Sequence, residues 1–219
     1  MAASSSASAS DRGDKVAATT VAALYVEKDG AYYGLPGVDP WDEERDARLY
    51  AGPYPVVAHP PCNRWCQLAF LNQAVNGLRV GDDAGCFEAA LASVRTWGGV
   101  LEHPAYSYAW ARFDLPKPPE SGWQRTFCGG WVTRVDQGVY GHRGRKPTWL
   151  YAVVDDPPAL DWRRSEKTAG WWIGKGPGDT GKPRSAENRL RRENASKSPI
   201  AFRDLLLDLA RSVRMEVAA

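Results

Sequence analysis

The sequence predicts an α/β protein in which a mostly parallel sheet is flanked by helices, and three observations lead to this prediction. Short apolar runs alternate along the chain with segments of helical period. Polar residues follow directly after two of these runs, which is where open α/β sheets place their ligands. The segment 200–213 has a single apolar face and is expected to pack back on the sheet.

Composition places the chain among ordinary globular proteins. It has 219 residues, 43% of them hydrophobic and 25% charged, which is enough for one sizeable core. No apolar run approaches the length that spans a bilayer, and the N-terminus lacks a signal pattern, so we predict a cytoplasmic protein without membrane contact. Residues 1–15, rich in serine and alanine, are predicted to be a disordered leader before a core of residues 16–154.

The first half of the predicted core contains two strands and one helix. Residues 17–26 read as the first strand, and a glycine-rich loop follows at residues 30–37. Residues 39–48 are predicted to form a short helix, with Asp39 as the N-cap and Pro40 in the first helical position. The apolar run 56–58 is then a second, buried strand.

The second half is predicted to add two helices and three strands. A helix capped by Asp82 or Asp83 runs to about Trp97 and ends at a glycine pair. Strands are expected at residues 100–104, 127–135 and 148–154. The last helix, within the segment 199–219, is expected to begin with Ser198 as the N-cap and Pro199 in the first position.

Cys62 follows the run His59-Pro60-Pro61, so it lies on a turn whose shape two prolines fix in advance. Such a turn suits a reactive thiol, although an ordinary buried cysteine is an equally simple interpretation. Four cysteines in a chain of this class do not suggest disulfides. The pair Cys62 and Cys66 has no matching second pair, so no metal site is expected.

Two further segments carry candidate site residues. Glu102 ends the strand at 100–104 and is expected to face a cleft, unless it only caps the following turn. The loop 136–147 contains Arg143, Arg145 and Lys146 among glycines, which is typical of an adaptable anion-binding loop.

Charge is distributed unevenly along the chain. Residues 1–140 contain 12 basic and 16 acidic side chains, net −4, whereas residues 141–219 contain 16 basic and 10 acidic ones, net +6. The segment 155–198 combines this positive charge with glycines and tryptophans, a composition suited to a phosphate backbone and unstacked bases. A solvated charged loop is the alternative. The candidate DNA contacts in this segment are Trp171, Trp172, Arg189, Arg191 and Arg192.

The order and spacing of three segments resemble the DNA cytosine-C5 methyltransferase family. These segments are Pro60-Pro61-Cys62, Glu102 at a strand end, and residues 140–145, which read Tyr-Gly-His-Arg-Gly-Arg. In that family the corresponding segments are a Pro-Pro-Cys turn, a strand ending in Glu-Asn-Val, and Tyr-Gly-x-Pro-Gln-Arg-Arg-x-Arg. The chain also resembles proteins from phages of high-GC bacteria. The resemblance covers about residues 54–154, with a weaker match at 194–213.

The resemblance implies a Rossmann-like methyltransferase fold and a DNA-modifying enzyme that acts on cytosine C5. Cys62 would attack C6 of the base, Glu102 would hold and protonate the ring, and Arg143 or Arg145 would bind its carbonyl group or a phosphate. Arg64 and His59 are the candidate groups for stabilising the thiolate. Further DNA contacts would come from Arg64, His142 and Lys146.

The same resemblance implies S-adenosylmethionine as the cofactor, with Tyr25, Gly30 and Pro60 as the candidate contacts. Only about thirty residues separate the first two predicted strands, so the cofactor-binding half is expected to be truncated. Two other functions stay open. One is an exocyclic-amine DNA methyltransferase in which His59-Pro60-Pro61-Cys62 replaces Asp-Pro-Pro-Tyr. The other is a non-catalytic nucleic-acid-binding protein. The sequence does not indicate an oligomeric state.

Overall fold

The computed structural model of the chain describes residues 19–67, 69–165 and 197–214. The described residues form a seven-stranded sheet with helices on both faces. The strands are β1 (Val21–Leu24), β2 (Val38–Trp41), β3 (Val56–Ala58), β4 (Gly99–Pro104), β5 (Gln124–Arg125), β6 (Trp131–Asp136) and β7 (Pro147–Val153). The α-helices are α1 (Ala69–Asn76), α2 (Cys86–Trp97), α3 (Tyr108–Arg112) and α4 (Ile200–Arg211), and 3-10 turns lie at Ala47–Leu49 and Gln137–Tyr140.

The sheet is mixed, with strand order β2-β1-β3-β4-β7-β6-β5. The pairs among β2, β1, β3 and β4 are parallel, whereas β7, β6 and β5 pair in antiparallel fashion. The prediction of an α/β fold with flanking helices is therefore confirmed, but the prediction of a mostly parallel sheet is wrong. The connection between β6 and β7 is too short for the crossover that a parallel pair requires, so these two strands pair in antiparallel fashion.

Two apolar layers sandwich the sheet, one on each face. Alternation along β3 places Val56 in the layer beneath α2 and α3, while Val57 lies in the layer beneath α4. Phe87 from α2 and Phe202 from α4 are each completely buried in these layers. The sheet is thus covered on both faces, so its edge at the strand ends is where polar groups can gather.

The predicted helix at residues 39–48 is wrong. Val38, Asp39 and Pro40 belong instead to β2, which pairs in parallel with β1 at one edge of the sheet. Pro40 is tolerated there because an edge strand leaves one row of backbone groups unpaired. Asp39 does not cap a helix, because its carboxylate accepts hydrogen bonds from the Trp41 indole and from Arg45. Local capping signals were therefore outweighed by strand pairing.

The other predicted helices are present with shifted starts. The N-cap of α2 is Gly85 and not Asp82 or Asp83, although the Asp83 carboxylate accepts the backbone N–H of Phe87; α2 ends at Trp97, before the glycine pair, as predicted. Helix α4 has Pro199, not Ser198, as its N-cap, and no side chain caps it. Helix α1, directly after the Cys62 turn, was not predicted. Within the described ranges, no helix has the length and apolar character needed to cross a bilayer.

Candidate active site

The carboxyl ends of β3 and β4 bring the Cys62 turn and Glu102 to the same edge of the sheet. After β3, the His59 backbone N–H donates to the Leu24 carbonyl of β1, and the two prolines then end the ladder. The Cys62 carbonyl accepts N–H groups from Trp65 and Cys66 at 3.0 and 2.9 Å, which closes the turn. Because β3 and β4 are parallel neighbours, Glu102 lies beside this turn.

Buried tryptophans hold the surroundings of the turn in place. The indole N–H of Trp65 donates to Asp83 at 2.8 Å, and the Trp110 indole donates to the Pro104 carbonyl at 3.0 Å. Trp65, Trp110 and Trp149 are all buried in the layer beneath α2. The Cys62 turn is therefore anchored to the core.

Glu102 is at the centre of a buried hydrogen-bonded chain. Its side chain is largely removed from solvent, with the residue 8% exposed. One oxygen, Oε2, lies 3.1 Å from His59 Nδ1, and the other, Oε1, accepts the Gln137 amide at 3.0 Å. His59 Nε2 lies 2.8 Å from the Tyr32 hydroxyl, and Gln137 also donates to Thr148 at 2.9 Å. Each carboxylate oxygen has a second lone pair for a further ligand.

These contacts determine which side chains in the hydrogen-bonded chain around Glu102 are ionised. Burial by itself would raise the pKa of Glu102, but the hydrogen bond and charge of His59 and the charge of Lys146 hold that pKa at about 2. Burial raises the pKa of Tyr32, so the phenol keeps its proton. In the contact between Tyr32 and Nε2 of His59 either group can donate, and in both cases the Nδ1 proton of His59 donates to an ionised Glu102.

Cys62 lies in the field of three ionisable neighbours, Cys66, Glu102 and Lys146. Burial raises the pKa of the Cys62 thiol, and the negative charges of Cys66 and Glu102 raise it further. Lys146 opposes them and lowers the pKa of Cys62. Burial in turn lowers the pKa of Lys146, while Glu102 and Cys62 raise it. Lys146, rather than Arg64 or His59, is therefore the cation that the structure brings to the thiol.

Alternation along β4 separates Glu102 from the next residue. His103 points to the opposite face and packs against the rings of Phe87 and Trp110, with centroids 5.0 and 6.2 Å away. Burial lowers the pKa of His103 to about 4, so it is a neutral core residue at physiological pH.

The arginines that the resemblance implies do not reach Glu102. Arg143 is exposed, and Arg145 Nε lies 3.7 Å from the Asp136 carboxylate. His142, a predicted DNA contact, is 6% exposed, and its Nδ1 lies 2.6 Å from the Gly144 carbonyl within the same loop. The buried His142 ring shapes the loop and does not contribute to an exposed basic surface.

The other predicted DNA contacts fall in different places. Arg64 is half-buried in the turn after Cys62. Trp171, Trp172, Arg189, Arg191 and Arg192 lie outside the described residues, as do the predicted leader 1–15 and much of the segment 155–198.

The predicted cofactor contacts do not form one site. Tyr25 packs on the face beneath α2, whereas Tyr32 and His59 meet on the other face. Gly30 closes a turn with Glu27, whose carbonyl oxygen would lie 2.8 Å from an added Cβ, and Pro60 is buried. The described loop 25–37 consists of turns and contains no helix whose N-terminus could receive a ligand's charged group. These residues do not fit S-adenosylmethionine.

Sequence analysis missed Tyr32, Gln137 and Thr148, each of which is polar and buried or nearly so. Gln137 directly follows β6 and Thr148 lies at the start of β7. Their positions at the two ends of the basic loop could have indicated that they belong to the site. The register of β7 on β4 pairs Thr148 with Pro104, two residues beyond Glu102, so both side chains lie on one face.

Comparison with known proteins identifies no relative of this chain. No protein-family model, curated protein or solved structure matches the chain. The function of this site must therefore be argued from its own residues.

Proposed function

We propose that the protein is a DNA-modifying enzyme that forms a covalent adduct between Cys62 and a pyrimidine base, with cytosine as the favoured substrate. The observation that supports this most is the grouping of a thiol on a proline-fixed turn, an ionised buried carboxylate and a half-buried lysine at one sheet edge. A nucleophile, a hydrogen-bond acceptor for the base and a cation are the groups that addition to a pyrimidine ring needs.

In the proposed reaction, the Cys62 thiolate forms a bond to C6 of the base, and the electrons of the C5–C6 double bond move into the ring toward N3. Lys146 favours the thiolate because its charge lowers the pKa of Cys62. Ionised Glu102 accepts a hydrogen bond from the exocyclic amine through its second lone pair. The resulting enamine makes C5 nucleophilic toward an electrophile.

Protonation of N3 needs a further step, because a carboxyl group with a pKa of about 2 carries no proton at rest. We propose that the imidazolium form of His59 supplies this proton: Nδ1 passes its proton to Glu102, to which it is already hydrogen-bonded, and Glu102 protonates N3. The neutral imidazole that remains keeps its Nε2 proton, which it donates to the Tyr32 hydroxyl oxygen. Tyr32 keeps the imidazole oriented by its hydrogen bond to Nε2, so it is a positioning residue. To reach these groups the base must leave the helix stack.

The proposal does not assign the electrophile to the described residues, because those at the end of β1 do not fit S-adenosylmethionine. It also places the protein in the cytoplasm, where a reactive thiol stays reduced. All four cysteines are free thiols, which agrees with that location.

Covalent trapping tests the proposal in two steps. DNA containing 5-azacytosine has a more electrophilic C6 and needs no donor for addition, so the full chain should form an adduct on Cys62, detectable by denaturing gel and peptide mass spectrometry. DNA containing 5-fluorocytosine, with and without S-adenosylmethionine, then reports transfer, since fluorine at C5 blocks the elimination that releases the enzyme.

Matched variants identify the nucleophile. Cys62→Ser should abolish the adduct, whereas Cys66→Ser, which removes a second half-buried thiol in the same turn, should retain it. Glu102→Gln should slow adduct formation about 10²-fold or more, the usual effect of losing an acid–base group. An unmodified Cys62 in the presence of bound DNA would refute covalent chemistry and favour exocyclic-amine transfer or a purely binding role.

A further inference from the structure

A cleft lined by arginines and aromatic rings lies beside the candidate active site, at the same edge of the sheet. We call it the arginine–aromatic cleft and define it by Tyr106, Arg134, Trp149, Trp162, Arg163 and Arg164. Its cavity volume is about 60 Å³, so it can contact part of a ligand but does not enclose one. Thr148 also lines it, and the Thr148 hydroxyl accepts a hydrogen bond from Gln137, which binds Glu102. One shared residue therefore connects the cleft to the active site.

The arginines of the cleft outnumber its carboxylates. Arg145 and Asp136 also line the cleft and lie 3.7 Å apart, which gives four lining arginines against the carboxylates of Asp136, Glu120 and Asp161. Arg134 and Arg164 share Glu120, with N–O distances of 2.6 and 3.2 Å. Arg163 pairs with Asp161 at 2.7 Å. The side chains of Arg163 and Arg164 are 84% and 60% exposed, and exposed ion pairs of this kind contribute little stability. These guanidinium groups can therefore exchange a carboxylate for a phosphate at small cost.

The aromatic wall of the cleft is held rigidly. The Tyr106 ring lies 5.3 Å from the Trp149 ring, which packs in turn against Trp110 at 5.8 Å. The Trp162 indole donates to Thr133 at 2.9 Å. Tyr106 has a φ of 61°, a left-handed conformation that a large side chain rarely adopts, yet it is 50% exposed. The backbone thus holds one ring at the mouth of the cleft, where a base can stack on it.

We propose that this cleft binds a nucleotide next to the target base, in a strand of DNA that is unpaired at that point. Its phosphodiester lies on Arg163 and Arg164, and its base stacks on Tyr106. Guanidinium groups recognise the phosphate, while an aromatic face accepts any base, so the cleft binds without sequence preference. This inference rests on the proposed function, because it takes DNA as the substrate.

Fluorescence anisotropy with the full chain tests the cleft separately from catalysis. The probes are a labelled single-stranded 12-mer of thymidine and the same backbone carrying abasic residues, each titrated over a range of salt concentrations. Tyr106→Leu should weaken binding of the thymidine probe about tenfold without changing the salt dependence, because one stacking contact is lost. It should leave binding of the abasic probe unchanged.

Arg164→Gln should weaken binding of both probes and reduce the slope of log K against log salt by about one, since one phosphate contact is lost. The matched control is Arg214→Gln. Arg214 forms a similar exposed ion pair, with Asp155 at 3.7 Å, but follows Val213, which lies against Gly98 at the opposite edge of the sheet. Arg214→Gln should bind both probes like the wild type.

The stacking proposal would be overturned if Tyr106→Leu bound the thymidine probe as tightly as the wild type does. It would also be overturned if Tyr106→Leu weakened binding of the thymidine and abasic probes equally. Equal loss with Arg164→Gln and Arg214→Gln would indicate only a general charge effect and would overturn the phosphate assignment. Trapping at Cys62 reads out the proposed function independently. If the adduct forms but the cleft variants bind DNA like the wild type, only the cleft proposal is refuted. If the cleft variants lose binding as expected but no adduct forms, only the proposed covalent chemistry is refuted.

Discussion

Replacing Glu102 with glutamine removes a carboxylate whose ionisation the fold stabilises. Its pKa falls from the ordinary 4.5 to about 2 in the folded protein, which at about 1.4 kcal/mol per pH unit stabilises the fold by about 3 kcal/mol at neutral pH. Since the pKa is lowered on folding, this contribution is fully present above about pH 4.5 and is lost as the pH falls toward 2. Linkage predicts that about 2 kcal/mol of it is gone by pH 3.

Urea denaturation followed by fluorescence measures this effect, because the chain contains ten tryptophans. The difference in unfolding free energy between wild type and Glu102→Gln should shrink by about 2 kcal/mol between pH 6 and pH 3. Glu27→Gln, the same substitution at an exposed site outside any helix, is the control for the loss of a surface carboxylate. A difference for Glu102→Gln that stays constant with pH would refute the assignment of an ionised, buried carboxylate.

Three further predictions concern the thiols and the backbone. Partial burial opposes ionisation of exposed Cys128, but hydrogen bonds from a threonine hydroxyl and an arginine guanidinium lower its pKa. Iodoacetamide at pH 7 should therefore modify Cys128 before Cys62, and mass spectra showing the reverse order would contradict this. Lys146→Met should move alkylation of Cys62 to higher pH, whereas Lys117→Met, at an exposed site, should not; identical pH profiles would contradict the role of Lys146. Gly99→Ala should destabilise the fold by at least about 2 kcal/mol in urea denaturation, because φ is +109° and the new Cβ would lie 2.0 Å from the Val56 carbonyl oxygen; unchanged stability would contradict this packing.

Local sequence patterns predicted the strands that carry the candidate site. The run Val56–Ala58 and its terminating prolines are read directly from residue types, because proline cannot donate to a ladder. The same is true of the strand that ends near Glu102 and of the glycine stop after α2. The position of Cys62 on a fixed turn therefore followed from the sequence.

Capping signals failed where an edge strand formed instead. Asp39 and Pro40 have the residue types of a helix start, but Val38–Trp41 pairs with β1, a strand seventeen residues earlier by the register of Val21 with Val38. Pairing between such distant segments depends on the packed sheet and is not encoded in a short window. The antiparallel pairing of β6 with β7 could have been predicted from the short connection between them, whereas the pairing of β7 with the distant β4 could not.

The sequence by itself determined the α/β class, the proline-fixed Cys62 turn, the strand that delivers Glu102 and the basic character of the loop before β7. These depend on periodicity, on proline and glycine chemistry, and on charge, all of which act within a few residues. Only the tertiary structure decided that Lys146, not Arg143 or Arg145, approaches the thiol, and that Tyr32, His59 and Gln137 hold Glu102. The hydrogen bonds in this group join residues that are 27 to 43 positions apart, and Lys146 is 84 positions from Cys62, so these contacts exist only after strand order and register have been set by packing.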